Sequence, residues 1–255
     1  MSTTYDLGVV PSSPALSPLY VVSDTETGTD ELHVNEFEQH SLGWYRSRLG
    51  CYTGSCIGKL MKENRQGGFS DTAMSYIYQV AATRYMNDRI VGSDKLFGEY
   101  LEAVNVETKA MRWGTEQEAH ARRLYAKRTG YTVTERGSVE HPTIPFFASS
   151  PDGFIEDDGN GRKGCVEIKC PNQETYMRYR AEVKDNATLK KVRPEYYWQC
   201  QSHMMCTGAS WCDFVVYCPW QMHPMHVVRI LPDKEDMALV AAKIEAAEKI
   251  IETLN

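Results

Sequence analysis

The chain has 255 residues, of which 42% are hydrophobic and 24% charged, and its net charge is 28 − 34 = −6. That length can bury a substantial core, as one large domain or two small ones, and the balance is that of an ordinary globular protein. A generally basic nucleic-acid binder is excluded, although a local basic groove is not, and no run of about 18 apolar residues offers a membrane span.

Residues 1–30 are rich in Ser, Thr, Pro and acids and read as a flexible or extended arm. The N-terminus has neither a basic n-region nor a solid apolar stretch, so no signal peptide is expected and a cytoplasmic protein is. Residues 31–255 read as one domain. Eight cysteines stand at 51, 56, 165, 170, 200, 206, 212 and 218 with no C-x-x-C. Large cytosolic chains keep thiols reduced, and the six-residue spacing of the last four does not match iron–sulfur patterns. Small buried thiols are expected.

Helical patterns come first. VNEFEQHSLGWYRSRLG carries Phe37, Trp44 and Leu49 among polar residues. TGSCIGKLMK opens with Thr53 and Ser55 as helix caps and runs to Lys62. Met74, Ile77, Val80, Ala81 and Tyr85 recur at helical spacing in the next segment. A further helix sets Ala119, Leu124 and Tyr125 on one side and stops at Gly130. Strands follow over YTVTERGSVEH, FFASSPDGFIED and KGCVEIKC, the last two joined by a D-D-G-N-G turn. EYYWQCQSHMMCTG reads as a helix with a glycine stop, CDFVVYCPW and MHVVRILP as strands, and the C-terminal segment as an amphipathic helix. The order predicts an α/β fold, a central mixed β-sheet flanked by helices. No phosphate-binding glycine-rich motif precedes a helix.

The stretch SSPDGFIEDDGNGRKGCVEIKCP places Asp152 before the turn and Glu167 and Lys169 after it. Strand side chains alternate faces, so Glu167, Lys169 and Cys165 share one, with Val166 and Ile168 turned into the core. The hairpin returns Glu167 beside Asp152, and two adjacent carboxylates repel unless a cation lies between them. Mg²⁺ takes oxygen ligands and few protein carboxylates. A lysine beside it can orient an attacking water and offset charge on a phosphate transition state. The pattern therefore suits metal-assisted phosphodiester hydrolysis. A salt-bridged hairpin on a solvated face is the competing explanation.

SPDG followed by EIKCP resembles the PD-(D/E)xK nucleases, and specifically the lambda-phage exonuclease and YqaJ-type viral recombinase family. GWYRSRLGCYTGS, RWGTEQEAHARRLY and YYWQCQSHMMCTG are similar to three further segments of that family, in family order, over residues 40 to 220. The resemblance implies a restriction-endonuclease-like core. It implies that Asp152, Glu167 and the main-chain carbonyl of Ile168 hold Mg²⁺, with Mn²⁺ as a possible substitute, and that Lys169 is catalytic. Glu118 reaches the metal through water by motif register, although Glu116 lies two residues away. A 5′-phosphate pocket falls on Arg48, Ser55, Ser150 and Gln199, with Gln201 of less certain role. Each of these also has a plain alternative: a surface arginine, a helix cap, a turn brace, polar helix residues. The basic runs at Arg122, Arg123, Lys127 and Arg128, and at Lys184, Lys190, Lys191 and Arg193, either track DNA or form solvated faces. His203, His223 and His226 show no metal spacing and are expected to be structural or at the surface.

The resemblance further implies a 5′-to-3′ exonuclease acting on linear double-stranded DNA ends to leave 3′ overhangs for recombination. Such enzymes form a homotrimer, beside a single-strand annealing protein and in a phage or prophage setting. Another PD-(D/E)xK endonuclease, a junction resolvase, or a non-catalytic DNA-end-binding protein are the rivals.

Overall fold

The computed structural model describes residues 37–105 and 108–254. The expected arm over 1–30 lies outside them. The N-terminal part contains α1 (Leu42–Ser47), β1 (Tyr52–Thr53), α2 (Gly54–Leu60), α3 (Asp71–Arg84), α4 (Asp88–Val91) and α5 (Asp94–Val104). The long α6 (Lys109–Thr129) follows, then β2 (Val139–Glu140), β3 (Phe147–Ser149), β4 (Gly153–Ile155) and β5 (Gly164–Lys169). The rest comprises α7 (Gln173–Glu182), α8 (Asn186–Val192), α9 (Pro194–Thr207), β6 (Trp211–Tyr217), β7 (Met225–Ile230) and α10 (Lys234–Glu252). Among the described residues, no helix is long and apolar enough to cross a membrane.

The expected mixed α/β architecture is present, but the strands form two sheets. One has the order β4-β5-β6-β7, with β5 and β6 parallel and both outer pairs antiparallel. The other has the order β1-β3-β2. The single strand expected across FFASSPDGFIED is therefore broken, β3 lying in one sheet and β4 in the other. Pro151 is the cause: it has no N–H for a ladder and restricts Ser150 before it. The strand expected over residues 131–141 shrinks to β2 and one bridge between Thr134 and Phe154.

Both faces of the four-stranded sheet are covered, which is why its centre reads as a continuous apolar run. On one face Cys165, Cys212, Phe214 and Val216 join the core built with α2, α3, α9 and α10. On the other, Val166, Ile168 and Val215 pack with Ala121 and Tyr125 of α6. Burying each large apolar side chain contributes about 1.5–3 kcal/mol. Ala119, expected on the buried side of α6, is exposed, and Tyr85 is exposed at the end of α3. α10 buries Val240, Ile244, Ala247 and Ile251 in the main core. The eight cysteines are free thiols, five of them buried.

The helices at 88–104, 173–182 and 186–192 were not foreseen. α7 anchors through Tyr176 and Tyr179, amphipathic residues that weaken an apolar periodicity. α9 behaves as expected, with Pro194 in its first turn and Gly208 ending it at φ 67°.

One buried charge secures β6. Asp213 accepts two bonds from the Arg229 guanidinium at 2.8 and 3.0 Å and one from the Tyr125 hydroxyl at 2.7 Å. Asp213→Ala strands both donors, and a loss of about 3 kcal/mol is expected in chemical denaturation. A change below about 1 kcal/mol would mean that solvent already satisfies them.

Candidate active site

The break at Pro151 aims Asp152 at β5. Gly153 pairs with Val166, which sets Asp152 opposite Glu167 on the same face. The Asp152 N–H donates to the Val166 carbonyl at 2.9 Å, and its Oδ2 accepts from the Ile168 N–H at 2.6 Å. The Ile168 carbonyl leaves the strand on that same side. Gln39 ties the turn down, donating to the carbonyls of Pro151 at 3.0 Å and Arg136 at 2.9 Å.

Glu167 is not on a solvated face. Its side chain is wholly buried against α9, which overturns the exposed-hairpin alternative. Oε1 is paired with the Lys169 ammonium. Oε2 lies 2.6 Å from His203 Nε2, and His203 Nδ1 lies 2.7 Å from Ser149 Oγ. A carboxylate only accepts, so Nε2 carries the proton and Nδ1 accepts from the serine hydroxyl. Gly54 allows this chain of contacts, because a Cβ there would run into Ser149 Oγ. Lys169 Nζ also sits 5.0 Å from the centre of the Tyr196 ring.

The electrostatics are uneven. Burial, then the Glu167 and Glu118 carboxylates, push Asp152 well above the usual carboxylate range. Burial alone would raise Glu167 too, but Lys169 and His203 outweigh it and hold it below its ordinary value. Burial would lower Lys169, yet Glu167 and Asp152 keep it firmly protonated. Crowded acids with one lysine between them make a site that favours a further cation.

These groups open into a cleft of about 650 Å³. Asp152, Glu167, Ile168, Lys169 and Glu118 line it, and so do Arg48, Ser55, Ser150 and Gln199. Glu118 faces the cleft and is bound by Arg122 at 2.6 Å, whereas Glu116 is exposed outside it. The Arg48 guanidinium stacks 3.9 Å from the Trp44 ring, whose N–H donates to Ser150 Oγ at 3.2 Å. Burial lowers Arg48 below its ordinary value, and among the described residues no carboxylate pairs with it.

Gln201 is the exception. It is buried away from the cleft, its amide donating to the Leu231 carbonyl at 3.0 Å and accepting from the Asp233 N–H at 3.0 Å. Two residues along a helix point different ways, so Gln199 and Gln201 cannot share a site. Lys190 is likewise held by Asp236 at 2.6 and 2.7 Å rather than free for DNA. Arg193, from the second basic run, lines the cleft, and so do Tyr179 and Tyr196, which were not singled out in the sequence. Nor was the place of His203 beside Glu167, although it falls four residues after Gln199 on one helix face. Among the described residues, no three His, Cys, Asp or Glu side chains gather as a metal cage.

A helix-flanked mixed sheet that offers two carboxylates and a lysine from two adjacent strands, with a third carboxylate from a neighbouring helix, defines a nuclease of the restriction-endonuclease-like class. Residues 43–210 match the YqaJ-like viral recombinase domain, well over half of the chain, and the chain belongs to that family. It is a deoxyribonuclease. Among solved structures it is similar to an alkaline exonuclease, LHK-Exo, from Laribacter hongkongensis, at 31% identity and TM-score 0.64. That likeness covers 84% of this chain and 93% of the other. The same enzyme in complex with dAMP aligns at TM-score 0.65, with the same identity and coverage. A phage related exonuclease from Haemophilus somnus 129PT, 16% identical with TM-score 0.58 over 80% of this chain and 94% of that one, shares the fold. No curated protein matches significantly.

Proposed function

We propose that the chain is a Mg²⁺-dependent 5′-to-3′ exodeoxyribonuclease that acts on linear double-stranded DNA ends and leaves 3′ overhangs for recombination. The observation that supports this best is the shared cleft: the acid–lysine set and the uncompensated Arg48 line the same space. The solved complex of the similar Laribacter enzyme with dAMP favours a deoxynucleoside monophosphate as product here. The family further favours a homotrimer encircling DNA, a single-strand annealing partner and a phage-encoded role in the host cytoplasm.

Asp152, Glu167 and the Ile168 carbonyl offer only oxygens, few of them charged, which fits a hard divalent ion; Glu118, on the same cleft, would join them through water. Mg²⁺, when bound, supplies charge stabilisation at the reacting phosphate. Lys169 orients the attacking water for in-line displacement, its ammonium fixed by Glu167 and set over Tyr196. Arg48 takes the terminal 5′-phosphate in a forked, charge-assisted clamp. Ser55, Ser150 and Gln199 add neutral donors, so the end is held while the next bond is cut.

Time-resolved digestion of linear duplexes with a 5′-phosphate or a 5′-hydroxyl, beside a closed circle, tests this. Loss of the phosphorylated strand with the circle intact is expected; cutting of the circle would replace the exonuclease with an endonuclease. Arg48→Ala should lower kcat/KM on the phosphorylated end by about 10–100-fold, the worth of one charged hydrogen-bond clamp. The 5′-hydroxyl end should change little. An equal loss on both ends would remove Arg48 from phosphate recognition.

A further inference from the structure

A second cleft, of about 550 Å³, is lined by Arg128 of α6, Arg180 of α7, and His223 and His226 at β7. Among the described residues neither Asp nor Glu lines it, in a chain of net charge −6. Among the described residues the side chains of Arg180 and His223 have no hydrogen-bond or ion-pair partner. Arg128 donates one N–H to the Met225 carbonyl at 3.1 Å, which leaves the rest of its fork open. The two arginines come from different helices and line the same cleft. His226 Nε2 lies 2.9 Å from the Val183 carbonyl, and its ring is held below its ordinary value chiefly by burial, with smaller contributions from Lys184 and Arg180.

The helices that line this cleft also line the first one. α6 brings Glu118 to the active site and Arg128 here, ten residues or about 15 Å along its axis. α7 brings Thr175 to the active site and Arg180 here. At about 3.4 Å per nucleotide along one strand, 15 Å spans about four to five steps. We propose that this cleft is a second phosphate-backbone site, which grips the DNA four to five nucleotides from the scissile bond. It rests on the reading of the first cleft as a DNA-cutting site. The shared chemistry is the phosphodiester anion, carried either by incoming duplex or by an outgoing single strand.

The test is DNA affinity, measured without divalent cation as a function of salt, for Arg180→Glu, for Arg128→Glu and for Lys249→Glu. Lys249 lies exposed on α10 and makes the same change in net charge. A blunt 5′-phosphorylated duplex, a single strand of equal length, and a hairpin-closed stem of about four base pairs are compared. Each cleft variant should weaken binding to a longer substrate about tenfold more than Lys249→Glu does, with the log–log salt slope shallower by about 1. The short stem should lose less than about twofold, because it ends before the cleft. A loss confined to the duplex places incoming DNA there, and one confined to the single strand places the outgoing strand. Affinities and slopes equal to those of Lys249→Glu for every substrate would overturn the proposal. Single-turnover cutting of the same duplex by the unmodified chain reads the proposed function separately, so either idea can fail alone.

Discussion

Lys169→Ala is expected to lower the rate of DNA cutting by about 10³-fold while end binding survives. The side chain does two things that alanine cannot. Its ammonium is fixed over the cleft floor by Glu167 and Tyr196, where it can orient a nucleophile. It also offsets the negative charge of Glu167 and Asp152, which would otherwise meet a phosphate. Arg48, Ser55 and Gln199, the residues proposed to hold the phosphate, line the same cleft and are left untouched. Glu167 keeps its His203 partner, so the stability cost should stay near 1–3 kcal/mol. Single-turnover digestion beside an end-binding titration separates the two effects. A variant that cuts within about tenfold of the parent would move the water-orienting role away from Lys169. Loss of binding in step with cutting would make the residue part of the grip instead.

His203→Ala should cost about 3–5 kcal/mol in chemical denaturation, more than any other single change near the cleft. His203, Glu167 and Ser149 are all fully buried. Alanine leaves a buried carboxylate with one partner fewer, orphans a serine hydroxyl and opens a cavity. His203→Gln restores a donor of similar reach, and recovery of at least half the loss is expected. Ser149→Ala removes only the hydroxyl that orients the ring, at a cost of about 1 kcal/mol. Calorimetric titration with Mn²⁺ supplies a readout independent of folding. If His203 positions Glu167 for a cation, the His203→Gln protein binds about 10–100-fold more weakly while remaining folded. Equal Mn²⁺ affinity in a destabilised protein would leave His203 a packing residue only.

Much of the site was legible because its parts are local. Asp152, the turn, Glu167 and Lys169 lie within eighteen consecutive residues, and strand alternation alone puts Glu167 and Lys169 on one side. Helix stops at Gly130 and Gly208 were readable from a single residue each, because both take a left-handed conformation that costs glycine nothing. The choice of Glu118 over Glu116 came from motif register; of the two, Glu118 is the one that lines the cleft.

What failed was the distant and the two-sided. Gln199 and Gln201 look alike in a row of polar residues, yet one faces the cleft and the other caps the approach to α10. His203 gave no spacing signal because its partners, Glu167 and Ser149, come from 36 and 54 residues away. The broken strand at Pro151 was a one-residue matter that apolar content on both sides disguised. The face that the competing explanation left to solvent is covered by α9, and no local pattern reveals which helix will lie on a strand.

The sequence by itself determined the acid–turn–Glu-x-Lys hairpin, most of the long helices and the family, because each rests on spacing within one element or in chain order. Only the tertiary structure decided that Glu167 is buried on His203 and that Arg48 lines the same cleft with no carboxylate partner among the described residues. The reason is physical. Burial and charge compensation depend on which surfaces pack together, and packing is fixed by the sum of contacts between segments far apart in the chain.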